Sequence, residues 1–246
     1  MKRLAVFVEG QTELYFVQKL IEEIAGYGKI KFDLKIMRAG VIHDLRSTGT
    51  PEEVSLMNIM IVDCGGDGSV KSAIKDRADR LAASGYSEII GLLDLHPKPL
   101  DALPKFEAGL AAGLEDYKIK IRIFIAVKEI EAWFINEHTH FLKISPELTP
   151  DEIENVCGFN PESGHAEKEV NHPAGMLKKI YRSKGADYKK READTFKMVA
   201  NLDFCALYVS VKERSNSLSQ LIAGIESFMG SATVSNAENE APASMA

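Results

Sequence analysis

Cysteine is scarce in this chain: Cys64, Cys157 and Cys205 are the only three in 246 residues, and they lie far apart. Such spacing provides neither a disulfide framework nor a Cys-rich zinc site, so reduced thiols in a core are expected. Also missing is any apolar run near the ~20 residues that a membrane-spanning helix needs. The opening residues Met1-Lys2-Arg3-Leu4-Ala5-Val6-Phe7-Val8-Glu9 meet a carboxylate too early for a signal peptide, so a cytoplasmic location without membrane association is expected. There is no internal repeat and no Gly-x-x-x-x-Gly-Lys-Ser/Thr phosphate loop, which excludes a P-loop ATPase within the chain. An excess of positive charge is lacking as well. With 30 Lys and Arg against 36 Asp and Glu, the net charge is -6 and the pI about 5.6, which argues against non-specific coating of nucleic acid.

What is present suits a folded α/β protein: 45% hydrophobic residues, 27% charged residues and a mean hydropathy of -0.11. The length fits one large domain, or one and a half. Residues 4 to 8 form an unbroken apolar run, as expected of a strand buried on both faces, and end at Glu9-Gly10. From Gln11 the period changes, with Leu14, Val17, Ile21 and Ile24 forming a helical stripe that stops near Gly26 and Gly28. Lys31 to Ile36 alternates like a half-exposed or edge strand, and residues 46 to 50 read as a loop. Ile59 to Val62 is a second buried strand, followed by a helix carrying Val70, Ile74, Ala78 and Leu81. Ile89 to Leu93 is a third, followed by a helix with Leu103, Phe106, Leu110 and Leu114 and a strand from Ile119 to Val127. Alternation of this kind predicts a three-layer α/β domain with a mostly parallel sheet over residues 1 to 135. Helical pieces at 150–157, 173–184, 191–201 and 215–228 predict a C-terminal helical extension over 136 to 230, and 231 to 246 read as a disordered tail.

Ligands of open parallel sheets bind at the carboxyl ends of the strands, so polar residues that end apolar runs are the candidates. Glu9 ends the first run, Asp94 with His96 ends the run at 89–93, and Glu129 and Glu131 follow the last strand. Glu13, in the first turn of the first helix, is placed to point back towards Glu9. Each has an ordinary alternative. A helix dipole favours Glu13, Asp94 and Asp63 suit turns, and Glu129 and Glu131 suit a solvated surface. Asp63 reads as a turn residue because Gly65-Gly66 follows, and His138 and His140 read as the polar surface of a helix. Acids at three separate strand ends are what the ordinary roles do not explain. Gathered carboxylates repel one another unless a cation neutralises them, and oxygen donors suit Mg²⁺ or Mn²⁺.

The run Val6-Phe7-Val8-Glu9-Gly10-Gln11-Thr12-Glu13, followed by Leu92-Leu93-Asp94-Leu95-His96, resembles the Toprim domain of topoisomerases, primases and OLD-family nucleases, with the Glu-Gly-x-Thr-Glu form most like the OLD branch. Lys128-Glu129-Ile130-Glu131-Ala132-Trp133, the Pro173 to Tyr181 helix, and Tyr188 with Lys190 are similar to the Toprim-like family called domain of unknown function 4276. The resemblance implies a Rossmann-like Toprim fold and a divalent-metal-dependent nuclease. It makes Glu9 a metal ligand and general acid or base, Glu13 the second acid, and Asp94 the first Asp of an Asp-x-Asp motif. His96 stands at the second Asp position, a poor ligand for Mg²⁺ but an acceptable one for Mn²⁺ or Zn²⁺. Glu129 or Glu131 would then supply the missing carboxylate, and a two-metal site is implied. The family also implies a role in bacterial anti-phage defence with an ATPase partner, which would be a separate polypeptide.

Residues 166 to 191 carry a net charge of +5, leaving -11 for the rest. Lys178, Lys179, Arg182, Lys184, Lys189 and Arg191 are the expected contacts to DNA or RNA, and Lys190 is the candidate cation for the transition state. Two alternatives stay open. One is a non-catalytic Toprim-scaffold subunit, motivated by His96. The other is a small-molecule phosphotransferase or phosphohydrolase, with Gly65-Gly66 cradling a phosphate at a helix start.

Overall fold

The structure is a computed structural model that describes residues 1–66, 68–187 and 192–237. Six strands, β1 (Lys2–Val8), β2 (Ile30–Arg38), β3 (Val41–Gly49), β4 (Met57–Asp63), β5 (Glu88–Asp94) and β6 (Lys120–Ala126), form one sheet in the order β3-β2-β4-β1-β5-β6. All neighbours run parallel except the antiparallel β2–β3 hairpin. The helices are α1 (Gln11–Ala25), α2 (Ser69–Lys75), α3 (Ala78–Ala83), α4 (Leu103–Ala111), α5 (Glu131–Asn136), α6 (Phe141–Ile144), α7 (Pro150–Cys157), α8 (Ala166–Glu169), α9 (Pro173–Ser183), α10 (Glu192–Asn201), α11 (Phe204–Val209) and α12 (Asn216–Ala237). Among the described residues, no helix is long and apolar enough to cross a membrane.

β1 is flanked by β4 and β5 and covered on both faces, which is why its sequence is apolar at every position from Leu4 to Val8. Leu4, Val6 and Val8 enter one core with Ile59, Ile61 and the apolar stripe of α1. Ala5 and Phe7 enter the other, against Val70, Ala73 and Ile74 of α2. α1 ends where Gly26 takes φ +79, a conformation that turns the chain out of the helix at little cost to glycine.

Three expectations are corrected. β2 is half-exposed, as its alternation predicts, but is not an edge, because residues 46 to 50, read as a loop, fall largely within the paired strand β3 outside it. Nearly every β3 side chain is exposed, so it has no apolar alternation that a sequence could display. The helix expected through Val70 and Leu81 is two helices broken at Asp76-Arg77. The final helix runs to Ala237, into the segment expected to be a tail, whose remaining residues lie outside those described.

The C-terminal helices build on the same core as α1. Phe134, Leu177, Leu221 and Phe228 are buried in the cluster that contains Leu4 and Phe16. The single tryptophan, Trp133, is fully buried, and its Nε1 donates to Glu167 Oε1 (2.8 Å) and Ser217 Oγ (3.1 Å), joining α5, α8 and α12. α12 lies so close to β6 that a methyl group at Gly224 would overlap the Phe124 ring, while Arg122 Nη2 donates to the Gly224 carbonyl at 2.6 Å.

Candidate metal centre at the strand ends

Because β1, β4, β5 and β6 are parallel, the residues that follow them emerge on one edge of the sheet. β1 leads through α1 on one face, whereas β4 leads to β5 through α2 and α3 on the other. This divergence opens a crevice over the ends of the central strands. A cleft of about 450 Å³ occupies it, and its lining includes Glu9, Glu13, Asp63, Asp94, His96, Glu129 and Thr195.

Each acid is positioned by a specific feature. Glu13 is buried in the first turn of α1 with its carboxylate folded back over the strand end, where a Cβ on Gly10 would lie 3.2 Å from Glu13 Oε2. The β1 and β4 ends are joined by Cys64 N–H donating to the Val8 carbonyl (2.8 Å) and Gly66 N–H to the Glu9 carbonyl (2.9 Å). Asp63 Oδ1 accepts from Gly65 N–H at 2.8 Å, the expected turn. Burial pushes the Asp63 carboxyl above the ordinary aspartate range, against the smaller opposing effect of that hydrogen bond. Asp94 Oδ1 accepts from Ile130 N–H at 3.2 Å, and His96 N–H donates to the Lys128 carbonyl at 2.9 Å, tying the β5 end to the turn after β6. Glu129 is buried. Its Oε2 accepts from Ala174 N–H at the start of α9 (2.8 Å) and lies 3.1 Å from His172 Nδ1, while its Oε1 lies 3.8 Å from His96 Nδ1.

Glu9, Glu13, Asp94, His96 and Glu129 therefore meet in one cleft. Glu131 does not line it. Two residues beyond Glu129 the chain has already turned into α5, and Glu131 is fully buried there, so the carboxylate in the crevice is that of Glu129. Neither glutamate is the solvated surface residue of the ordinary reading, and His140 is fully buried beside Glu137, with its Nδ1 3.1 Å from Glu137 Oε2. Of the basic set, Lys178, Lys179 and Arg182 lie exposed on α9, Arg182 reaching Asp187 at 3.1 Å. Lys184 instead contacts Glu147 (2.8 Å) and Glu152 (2.9 Å), which raises its pKa and makes it a tie to the α7 region. Tyr188, Lys189, Lys190 and Arg191 lie outside the described residues.

The sequence reading missed three residues of the cleft and its rim. Asp63 serves the turn and lines the cleft at once. His172 precedes Pro173 at the start of α9, a boundary position from which a side chain can reach back to the strand ends. Thr195 is fully buried at the cleft wall, and its Oγ1 has no hydrogen-bond partner among the described residues. No sequence period distinguishes it from any other helical threonine.

Other chemistries are less well served. Of the three thiols only Cys64 is fully buried, Cys205 being exposed, and burial pushes the Cys64 pKa up to about 12, so no thiolate is available there near neutrality. The Gly65 and Gly66 amides donate to Asp63 and Glu9, so neither is left to cradle a phosphate. A larger cavity of about 700 Å³ beside α4 and β6 has a mixed lining, with Leu110, Ile121 and Ile123 beside Glu107, Glu115, Lys118 and Lys120, and shares no residue with the cleft at the strand ends.

Fold and site together define an α/β protein with a mostly parallel Rossmann-like sheet and an acidic crevice over its strand ends. Comparison with protein-family models, with curated proteins and with solved structures finds no match.

Proposed function

We propose that the protein is a Toprim-type, divalent-metal-dependent nuclease that hydrolyses phosphodiester bonds of DNA or RNA, working in bacterial defence with a separate ATPase. The observation that carries this reading is the meeting of Glu9, Glu13 and Asp94, from two strand ends and a helix start, in one cleft at the edge where α/β sheets bind ligands. Their carboxylate oxygens are hard donors of the kind that hold Mg²⁺ or Mn²⁺, so their chemistry fits the implied ion, although the three do not bring one oxygen each within 4.8 Å of one another. When bound, the ion supplies Lewis acidity at the phosphoryl oxygens and lowers the pKa of coordinated water.

The chain's own groups do the rest. Glu9, at the tip of the central strand, takes the proton from the attacking water. Asp94 is held in place by Ile130 N–H, and Glu13 by its position in the first turn of α1. Lys178 is four residues past Ala174 on α9, a rise of roughly 6 Å from the cleft rim, so the exposed basic face offers a track for the phosphate backbone. Lys190 is the proposed cation for the pentacoordinate phosphate.

A cleavage assay on single- and double-stranded DNA and RNA with Mg²⁺ or Mn²⁺ tests this function. Glu9→Ala and Asp94→Ala are each expected to lower the rate by about 10²-fold or more. Full activity in both variants would overturn the proposal.

A further inference from the structure

We propose that His96, Glu129 and His172 form a second, nitrogen-bearing site for a divalent first-row transition ion such as Zn²⁺, beside the all-oxygen group of Glu9, Glu13 and Asp94. This trio can place one ligand atom each within 4.8 Å of one another. Two donors on one ion at bonds of about 2.1 Å lie roughly 3 to 4.2 Å apart. The separations of 3.1 Å from Glu129 Oε2 to His172 Nδ1 and 3.8 Å from Oε1 to His96 Nδ1 fall in that range.

A simple hydrogen bond between His172 and Glu129 leaves the second imidazole unexplained. The two rings stack at 5.2 Å between centroids and 14° between planes, and both present Nδ1 to the same carboxylate. That carboxylate already accepts from Ala174 N–H, which fixes its orientation. Around the trio stands the kind of outer support that metal ligands require. Lys128 Nζ donates to the Val170 carbonyl at 2.7 Å and contacts the Lys168 carbonyl at 3.3 Å, clamping the segment that delivers His172. The Lys128 carbonyl receives His96 N–H, so one residue braces both imidazoles. Gly175 leaves the space that the His172 ring fills, since a Cβ there would lie 2.8 Å from His172 Cδ2.

Two imidazoles and one carboxylate favour Zn²⁺, Mn²⁺ or Fe²⁺ over Mg²⁺. The His96 and His172 side chains are 45% and 61% exposed, so an ion held there keeps open positions facing solvent. This site does not depend on phosphodiester hydrolysis.

The test is calorimetric titration of the full chain with Zn²⁺, paired with Co²⁺ absorption to report nitrogen ligation. Wild type is expected to bind, with His172→Ala and His96→Ala each weakening affinity roughly tenfold or more and His43→Ala, at an exposed β3 histidine that does not line the cleft, leaving it unchanged. Gly175→Ala, which keeps every ligand but displaces the ring, is expected to weaken it too. Thermal melts without metal establish that the variants fold. Absence of Zn²⁺ binding by wild type at submillimolar concentration, or unchanged affinity in both folded histidine variants, would overturn the proposal. Intact Zn²⁺ binding without any nuclease activity would overturn only the nuclease function.

Discussion

Asp63 is a residue whose two duties conflict. Its Oδ1 holds Gly65 in the turn after β4, yet burial disfavours its charge. A carboxyl whose pKa rises on folding contributes stability that is present below its unfolded pKa and lost as pH rises through the folded one. Asp63→Asn keeps the acceptor and removes the charge. In chelator it is expected to raise the thermal midpoint at neutral pH, with the gain shrinking as pH falls towards the ordinary aspartate value of about 3.9. A variant less stable than wild type at neutral pH would contradict this assignment. At this scale the sequence was informative where a carboxylate follows an apolar run at once, as at Glu9 and Asp94. It was uninformative where a turn decides direction. Glu129 enters the cleft while Glu131 is buried in α5, and nothing in Lys128-Glu129-Ile130-Glu131 distinguishes the two.

Among the elements, buried strands and amphipathic helices were legible because burial leaves a period, whereas β3 was not, since an exposed edge strand has no apolar face to repeat. The C-terminal helices were recognisable as helices, but their shared core with α1 was not, because a stripe of apolar residues does not say which neighbour it meets. That contact is tightest where α12 crosses β6. Gly224→Ala forces a methyl group into the Phe124 ring and should cost about 1–3 kcal/mol, read as a lower urea midpoint. An unchanged midpoint would show that the two elements do not pack so closely.

For the whole molecule, charge is organised by region: acids collect over the strand ends, and the basic segment of 166 to 191 follows in sequence, its helix α9 starting at the rim of the same cleft. The net charge of -6 conceals this arrangement, which the proposed function would use to draw a polyanion along α9 towards carboxylates neutralised by the proposed ion. The claim on which the proposed nuclease function depends is that those carboxylates hold a divalent ion. A crystal structure of the wild-type chain with Mn²⁺, phased to show anomalous scattering, measures it directly. A peak within coordinating distance of Glu9, Glu13 and Asp94 is expected. Saturating Mn²⁺ with no peak among those three side chains would contradict it.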